Sequence, residues 1–137
     1  MNEYNIRDSI RQNEESIDFE SNKIYQLEKK LEDFHFFKQK CIKRYNQLEE
    51  FIYNRQNQYG RLANISNVNF YKNTSNKMSN LLQGSKLVTV NNYYENTLRE
   101  INRKSDQIEN EITLARTRIR NMEDIVSNLY YELGRLG

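Results

Sequence analysis

The sequence predicts an all-α protein: an elongated antiparallel two-helix hairpin packed like a coiled coil. Three observations predict it. Apolar residues recur every seven positions through both halves of the chain, the period of a helix that buries one stripe against another helix. Proline, which breaks helix interiors, is absent, and only four glycines occur in 137 residues, so long helices can run on. The one stretch without the repeat is rich in Asn and Ser, whose side chains compete for the backbone and favour loops.

The first helix is predicted from about residue 4 to residue 62. One register of its seam holds Ile10, Ile17, Ile24, Leu31, Lys38, Tyr45, Ile52 and Tyr59. Its companion holds Ile6, Asn13, Glu20, Leu27, Phe34, Cys41, Leu48, Arg55 and Leu62. The connection, about 63–86, contains Val68, Tyr71, Met78, Leu81 and Leu82, spaced for a short helix over 69–82 that Gly84 breaks. The second helix is predicted over about 88–133. Its registers are Leu87, Tyr94, Ile101, Ile108, Ala115, Met122, Leu129 and Leu136, and Leu98, Ser105, Ile112, Ile119, Val126 and Leu133. Gly134 and Gly137 suit a left-handed ending of its last turn.

Two long helices with one connection fold back on each other, so the whole chain, 1–137, reads as a single hairpin domain. Reversal near residue 74 places Ile52 near Leu98, Tyr45 near Ser105, Leu31 near Ile119 and Ile17 near Leu133, with the first dozen residues overhanging. The competing arrangement, one continuous helix that dimerises, is disfavoured by the composition of the connection.

The apolar content is 36% and the mean hydropathy −1.00. That is low beside the roughly 45–50% apolar content of ordinary domains, but enough for helices that each bury one stripe. The 21 basic and 19 acidic residues give +2, and neither half is strongly basic. This lacks the electrostatic signature of a nucleic-acid binder. No apolar run is long enough to span a membrane, and the polar start is no secretory signal peptide. Cys41 is the single cysteine, which fits a reducing cytoplasm, with export alongside a partner left open.

No catalytic, cofactor or metal constellation emerges. His35 is the only histidine and sits in a charged stretch as a surface residue. Cys41 occupies a seam position as a small apolar residue. The acidic pairs Glu14-Glu15, Glu49-Glu50 and Glu123-Asp124 are adjacent residues, so their side chains diverge by about 100° on a helix. The chain reads as a non-enzyme with no cofactor.

The informative departures lie off the seam. Phe36, Phe37, Ile42, Phe51 and Tyr53 on the first helix, and Tyr93, Leu114, Ile125, Tyr130 and Tyr131 on the second, widen the apolar surface beyond what one partner helix covers. Exposed aromatics of this kind mark protein interfaces. Phe36, Phe37, Phe51 and Tyr130, with Leu82 and Gly84 at the turn, are the candidate partner-binding residues. Polar residues also interrupt the seam at Asn13, Glu20, Lys38, Arg55, Asn91 and Ser105, positions that set register or partner choice in coiled coils.

The order long helix, connection with Leu82-Gln83-Gly84, long helix resembles the helical-hairpin proteins of type VII secretion, which carry a Trp-x-Gly turn before the second helix. The Trp is absent here. The chain is similar to the α-helical accessory proteins that accompany LXG toxins and often depart from that motif. The resemblance implies a small cytosolic partner that binds the toxin's helical N-terminal domain, together with a second small helical protein, and helps target it for secretion. The family's export signal, Tyr-x-x-x-Asp/Glu after the second helix, does not follow Tyr130 or Tyr131; Tyr4–Asp8 and Tyr45–Glu49 match the letters in the first helix. A self-assembling structural coiled coil, as in a phage or cell-envelope scaffold, is the alternative reading.

Overall fold

The computed structural model describes residues 2–65, 72–74, 76–78, 80 and 84–137, with side chains described except at 62–65, 85 and 86. It is an all-α helical hairpin with no strand among the described residues. The first helix, α1, runs Glu3–Ile65 and the second, α2, runs Ser85–Leu136. Of the short helix expected over 69–82, residues 72–74, 76–78 and 80 are helical; the rest lies outside the described residues.

Each start has a local cause. The Asn2 side chain accepts the Asn5 N–H at 2.8 Å, capping a backbone donor that the helix itself leaves unpaired. Glu3 follows in the first turn, where negative charge meets the positive end of the helix dipole. At α2 the Gly84 carbonyl accepts the N–H groups of Leu87 and Val88 at 3.0 and 3.4 Å. The other end departs from the sequence reading. Gly134 does not close α2 with a left-handed turn: the helix continues to Leu136, and no described residue has positive φ. The helical conformation runs through Gly134, so the permissiveness of glycine goes unused.

The chain divides into two units: Met1–Phe34 with Arg103–Gly137, and His35–Asn102. In the first, Leu27, Ile108 and Ile112 form a buried cluster with Ile24, Leu31 and Phe34 packed against it. Ile6, Ile10 and Ala115 are also buried. Burying one such Ile or Leu stabilises by about 1.5–3 kcal/mol. In the second unit Ile101 is the one fully buried apolar residue among those described. The rest of its seam, including Cys41, Tyr45, Leu48, Tyr94 and Leu98, is half-buried. Here the Tyr45 and Tyr94 rings stack 3.9 Å apart at 6°, a contact worth about 0.5–1.5 kcal/mol beyond the area it buries.

Among its described residues the heptad seam is buried or half-buried almost throughout, with two exceptions at its ends; Leu62 lies outside the described side chains. Arg55 is exposed and Gln56 takes its inward place. An α-helix drifts about 20° per heptad from a strict seven-residue repeat, and one residue step is about 100°, so about five heptads move the stripe by one residue. Leu136, expected in the seam, is 56% exposed in the last turn.

The register differs from the expected one by eleven residues, about three turns. Tyr45 meets Tyr94 instead of Ser105. Leu31 packs on the Ile108–Ile112 cluster instead of beside Ile119. The first residues do not overhang: Ile6 and Ile10 are buried, and Ile6 lies with Glu132, Arg135 and Leu136 around one shallow cavity. The reason is polar. Apolar seams match equally well in many slides, because every heptad resembles the next. The expected slide would set the Lys38 ammonium against Ile112. The observed one lets Lys38 Nζ donate to Asn102 at 2.9 Å and the Tyr45 hydroxyl donate to Asn91 at 2.5 Å. It also brings the Arg118 guanidinium onto both Glu20 oxygens at 3.0 and 3.1 Å. Leaving such groups unpaired against apolar surface costs about 1–3 kcal/mol each.

Two outcomes check this arrangement. With Cys41 replaced by Ser, a Leu27→Cys, Ile112→Cys pair should cross-link on oxidation, whereas Leu31→Cys, Ile119→Cys should not; the reverse result would restore the expected register. Gly60 lies inside α1, and an added Cβ there meets nothing within 4 Å. Gly60→Ala should therefore raise stability by about 0.5–1 kcal/mol through helix propensity, read by denaturant unfolding.

Candidate partner interface

The aromatic residues singled out from the sequence lie on the surface. Phe36, Phe37 and Phe51, all on α1 in the His35–Asn102 unit, are 61%, 50% and 52% exposed, and Tyr130 on α2 in the other unit is 52% exposed. Tyr53, Tyr93, Leu114, Ile125 and Tyr131 are exposed as well. Ile42 is the exception: it is half-buried, so it belongs to the edge of the seam and not to a free flank. Leu82 lies outside the described residues. Gly84 is half-buried and serves the start of α2 through its carbonyl.

The exposed rings of α1 carry a recurring device. The Lys40 ammonium lies 4.5 Å from the Phe36 ring centre, the Arg55 guanidinium 5.2 Å from that of Phe51, and the Lys29 ammonium 4.5 Å from that of Tyr25. In each pair the cation sits four residues after the ring, one helical turn away on the same face. Such contacts are worth about 0.5–1 kcal/mol at exposed sites, and they leave most of each ring open. Tyr130 is held differently. Its hydroxyl donates to Glu14 at 3.1 Å, and that hydrogen bond to the carboxylate raises the phenol's pKa above its ordinary value.

Sequence reasoning passed over Tyr4, Phe19 and Tyr25, which are 77%, 71% and 53% exposed. The spacing of Tyr25 and Lys29, identical to Phe36–Lys40 and Phe51–Arg55, was the available signal. Phe19 edges a shallow groove with Ser16, Glu20, Arg118, Asn121 and Met122.

His35 is exposed and Cys41 is half-buried with a free thiol. Among the described residues no three His, Cys, Asp or Glu side chains converge where a metal could sit, and no helix is long and apolar enough to cross a membrane. No model of a known family, no curated protein and no solved structure matches this chain.

The groove beside Phe19 has one titratable centre. The Arg118 hydrogen bonds hold the Glu20 carboxyl below its ordinary pKa. A group with a lowered folded-state pKa stabilises fully above its unfolded pKa, and that stabilisation is lost as pH falls through the lowered value. The melting temperature should therefore drop on acidification across and below the ordinary carboxylate range. Glu20→Gln should flatten that part of the profile; an unchanged profile would show that the pair contributes nothing.

Proposed function

We propose that this chain is a non-enzymatic helical partner that binds the N-terminal helical domain of an LXG-type toxin in the cytoplasm and helps direct it to a type VII secretion system. The observation that carries the binding role is the exposure of Phe36, Phe37 and Phe51 off a seam already occupied by α2. Each helix has spent its inward stripe on the other, so these rings have no cover within their own unit. A helix whose apolar surface extends past one stripe is suited to two neighbours, and the second neighbour is then another chain.

The helical hairpin and the Leu82-Gln83-Gly84 sequence before α2 support this kind of partner. Both resemble the accessory proteins of LXG toxins, whose partners are helical. The chemistry at hand is hydrophobic docking with cationic neighbours, and no step of bond making or breaking is assigned to any residue.

Burying a Phe side chain fully is worth about 1.5–3 kcal/mol, so removing two should weaken the complex about a hundredfold or more. A pull-down of the candidate toxin domain with a Phe37→Asp, Phe51→Asp variant, shown by circular dichroism to remain helical, should lose the domain. Undiminished capture by the folded variant would move the interface elsewhere.

A further inference from the structure

The Tyr45–Tyr94 stack is a reactive geometry as well as a packing contact. The two rings lie 3.9 Å apart and within 6° of parallel, so each covers the other and the carbons ortho to the two hydroxyls are close neighbours. A phenol that loses one electron and its proton becomes a phenoxyl radical. Its unpaired electron is shared between the oxygen and the ortho and para ring carbons. The para carbon of tyrosine already carries the side chain, so two such radicals join through ortho carbons.

The surroundings favour that step. Both tyrosines are half-buried: the seam fixes the pair, and an edge of it stays in water, where an oxidant reaches it. The Tyr45 hydroxyl donates to Asn91 at 2.5 Å. Burial, and after it a hydrogen bond to Glu49, raises the Tyr45 phenol above its ordinary pKa. Loss of an electron turns that phenol into a strong acid, and the Glu49 carboxylate is a base within hydrogen-bond reach to take the proton. The chain has no Trp and one Cys, the side chains that compete best for an oxidant. That one thiol, Cys41, precedes Tyr45 by a helical turn on the same face. Tyr4, Tyr25, Tyr53, Tyr93 and Tyr131 are exposed, and none of them stacks on another ring among the described residues.

We propose that Tyr45 and Tyr94 are a site of oxidative modification, joined by a peroxidase-type one-electron oxidant and hydrogen peroxide into an intrachain dityrosine that locks α1 to α2. Each tyrosine gives up one electron and its phenolic proton, one proton leaving through Glu49 and the other to water. The peroxide takes the two electrons and two protons and becomes two waters. The radicals form one carbon–carbon bond between ortho carbons, and the hydrogens on those carbons move to the oxygens, which restores two phenols. Rotation of the two side chains turns the stacked rings into the twisted biaryl while both backbones stay helical. The link closes within the unit that has one fully buried apolar residue among those described, and a covalent tie between residues far apart in sequence restricts the unfolded chain. It holds whether or not the chain binds a toxin domain.

The test is oxidation of the full chain by a haem peroxidase with hydrogen peroxide, read by dityrosine fluorescence, a denaturing gel and mass mapping of peptides. The monomer band should acquire the fluorescence, with a yield that does not fall on dilution. A linked pair of peptides holding Tyr45 and Tyr94 should be lighter by two hydrogens than the two peptides together. The oxidised monomer should melt at a higher temperature than the untreated chain. Tyr45→Phe and Tyr94→Phe keep a ring in the stack; with helix content unchanged by circular dichroism, each should lower the intrachain yield at least tenfold. Cys41→Ser removes the competing thiol and should give at least the wild-type yield. Dityrosine confined to covalent dimers and lost on dilution overturns the proposal. So does an intrachain link that maps to other tyrosines, or the absence of any link in the wild type and Cys41→Ser alike.

Discussion

The arrangement of this hairpin depends on how a few polar groups in a repetitive apolar seam find partners. Hydrophobic burial drives the helices together but says little about where they stop sliding, because an Ile or Leu in one heptad is nearly equivalent to one in the next. Lys38, Tyr45 and Glu20 break that degeneracy. Each has a partner across the seam in this register: Asn102, Asn91 and Arg118 respectively. A slide would forfeit these bonds and press charged or hydroxyl groups against aliphatic side chains. The seam positions that weaken the apolar stripe are thus the ones that specify its alignment.

The same economy leaves the flanks open. A helix paired with one neighbour buries one stripe, and the aromatic residues beside that stripe stay in water. The cations one turn beyond Phe36, Phe51 and Tyr25 soften this exposure without removing it. Each gains some ring contact and keeps its own charge hydrated.

The two units distribute their stability differently. The first has a buried aliphatic cluster; the second has one fully buried apolar residue among those described and a tyrosine stack. Association that covers the second unit's rings adds burial where the intramolecular core is thinnest. A binding surface placed there couples recognition to stabilisation of the unit that carries it.

The helical class, the two long helices and nearly every inward-facing position were determined by the sequence alone, since a seven-residue apolar period without proline admits few other structures. The exposed rings Phe36, Phe37, Phe51 and Tyr130 were legible too, because a residue outside the seam of a two-helix pair has nowhere to hide. Ile42 and Gln56 were not: their inward turn comes from the slow drift of the helix against its heptads, a cumulative angle that local spacing conceals. Register was decided only by the tertiary structure. It rests on pairs such as Tyr45–Tyr94 and Glu20–Arg118, far apart in sequence, whose fit appears only when both helices are present and every polar group in the seam must be satisfied at once.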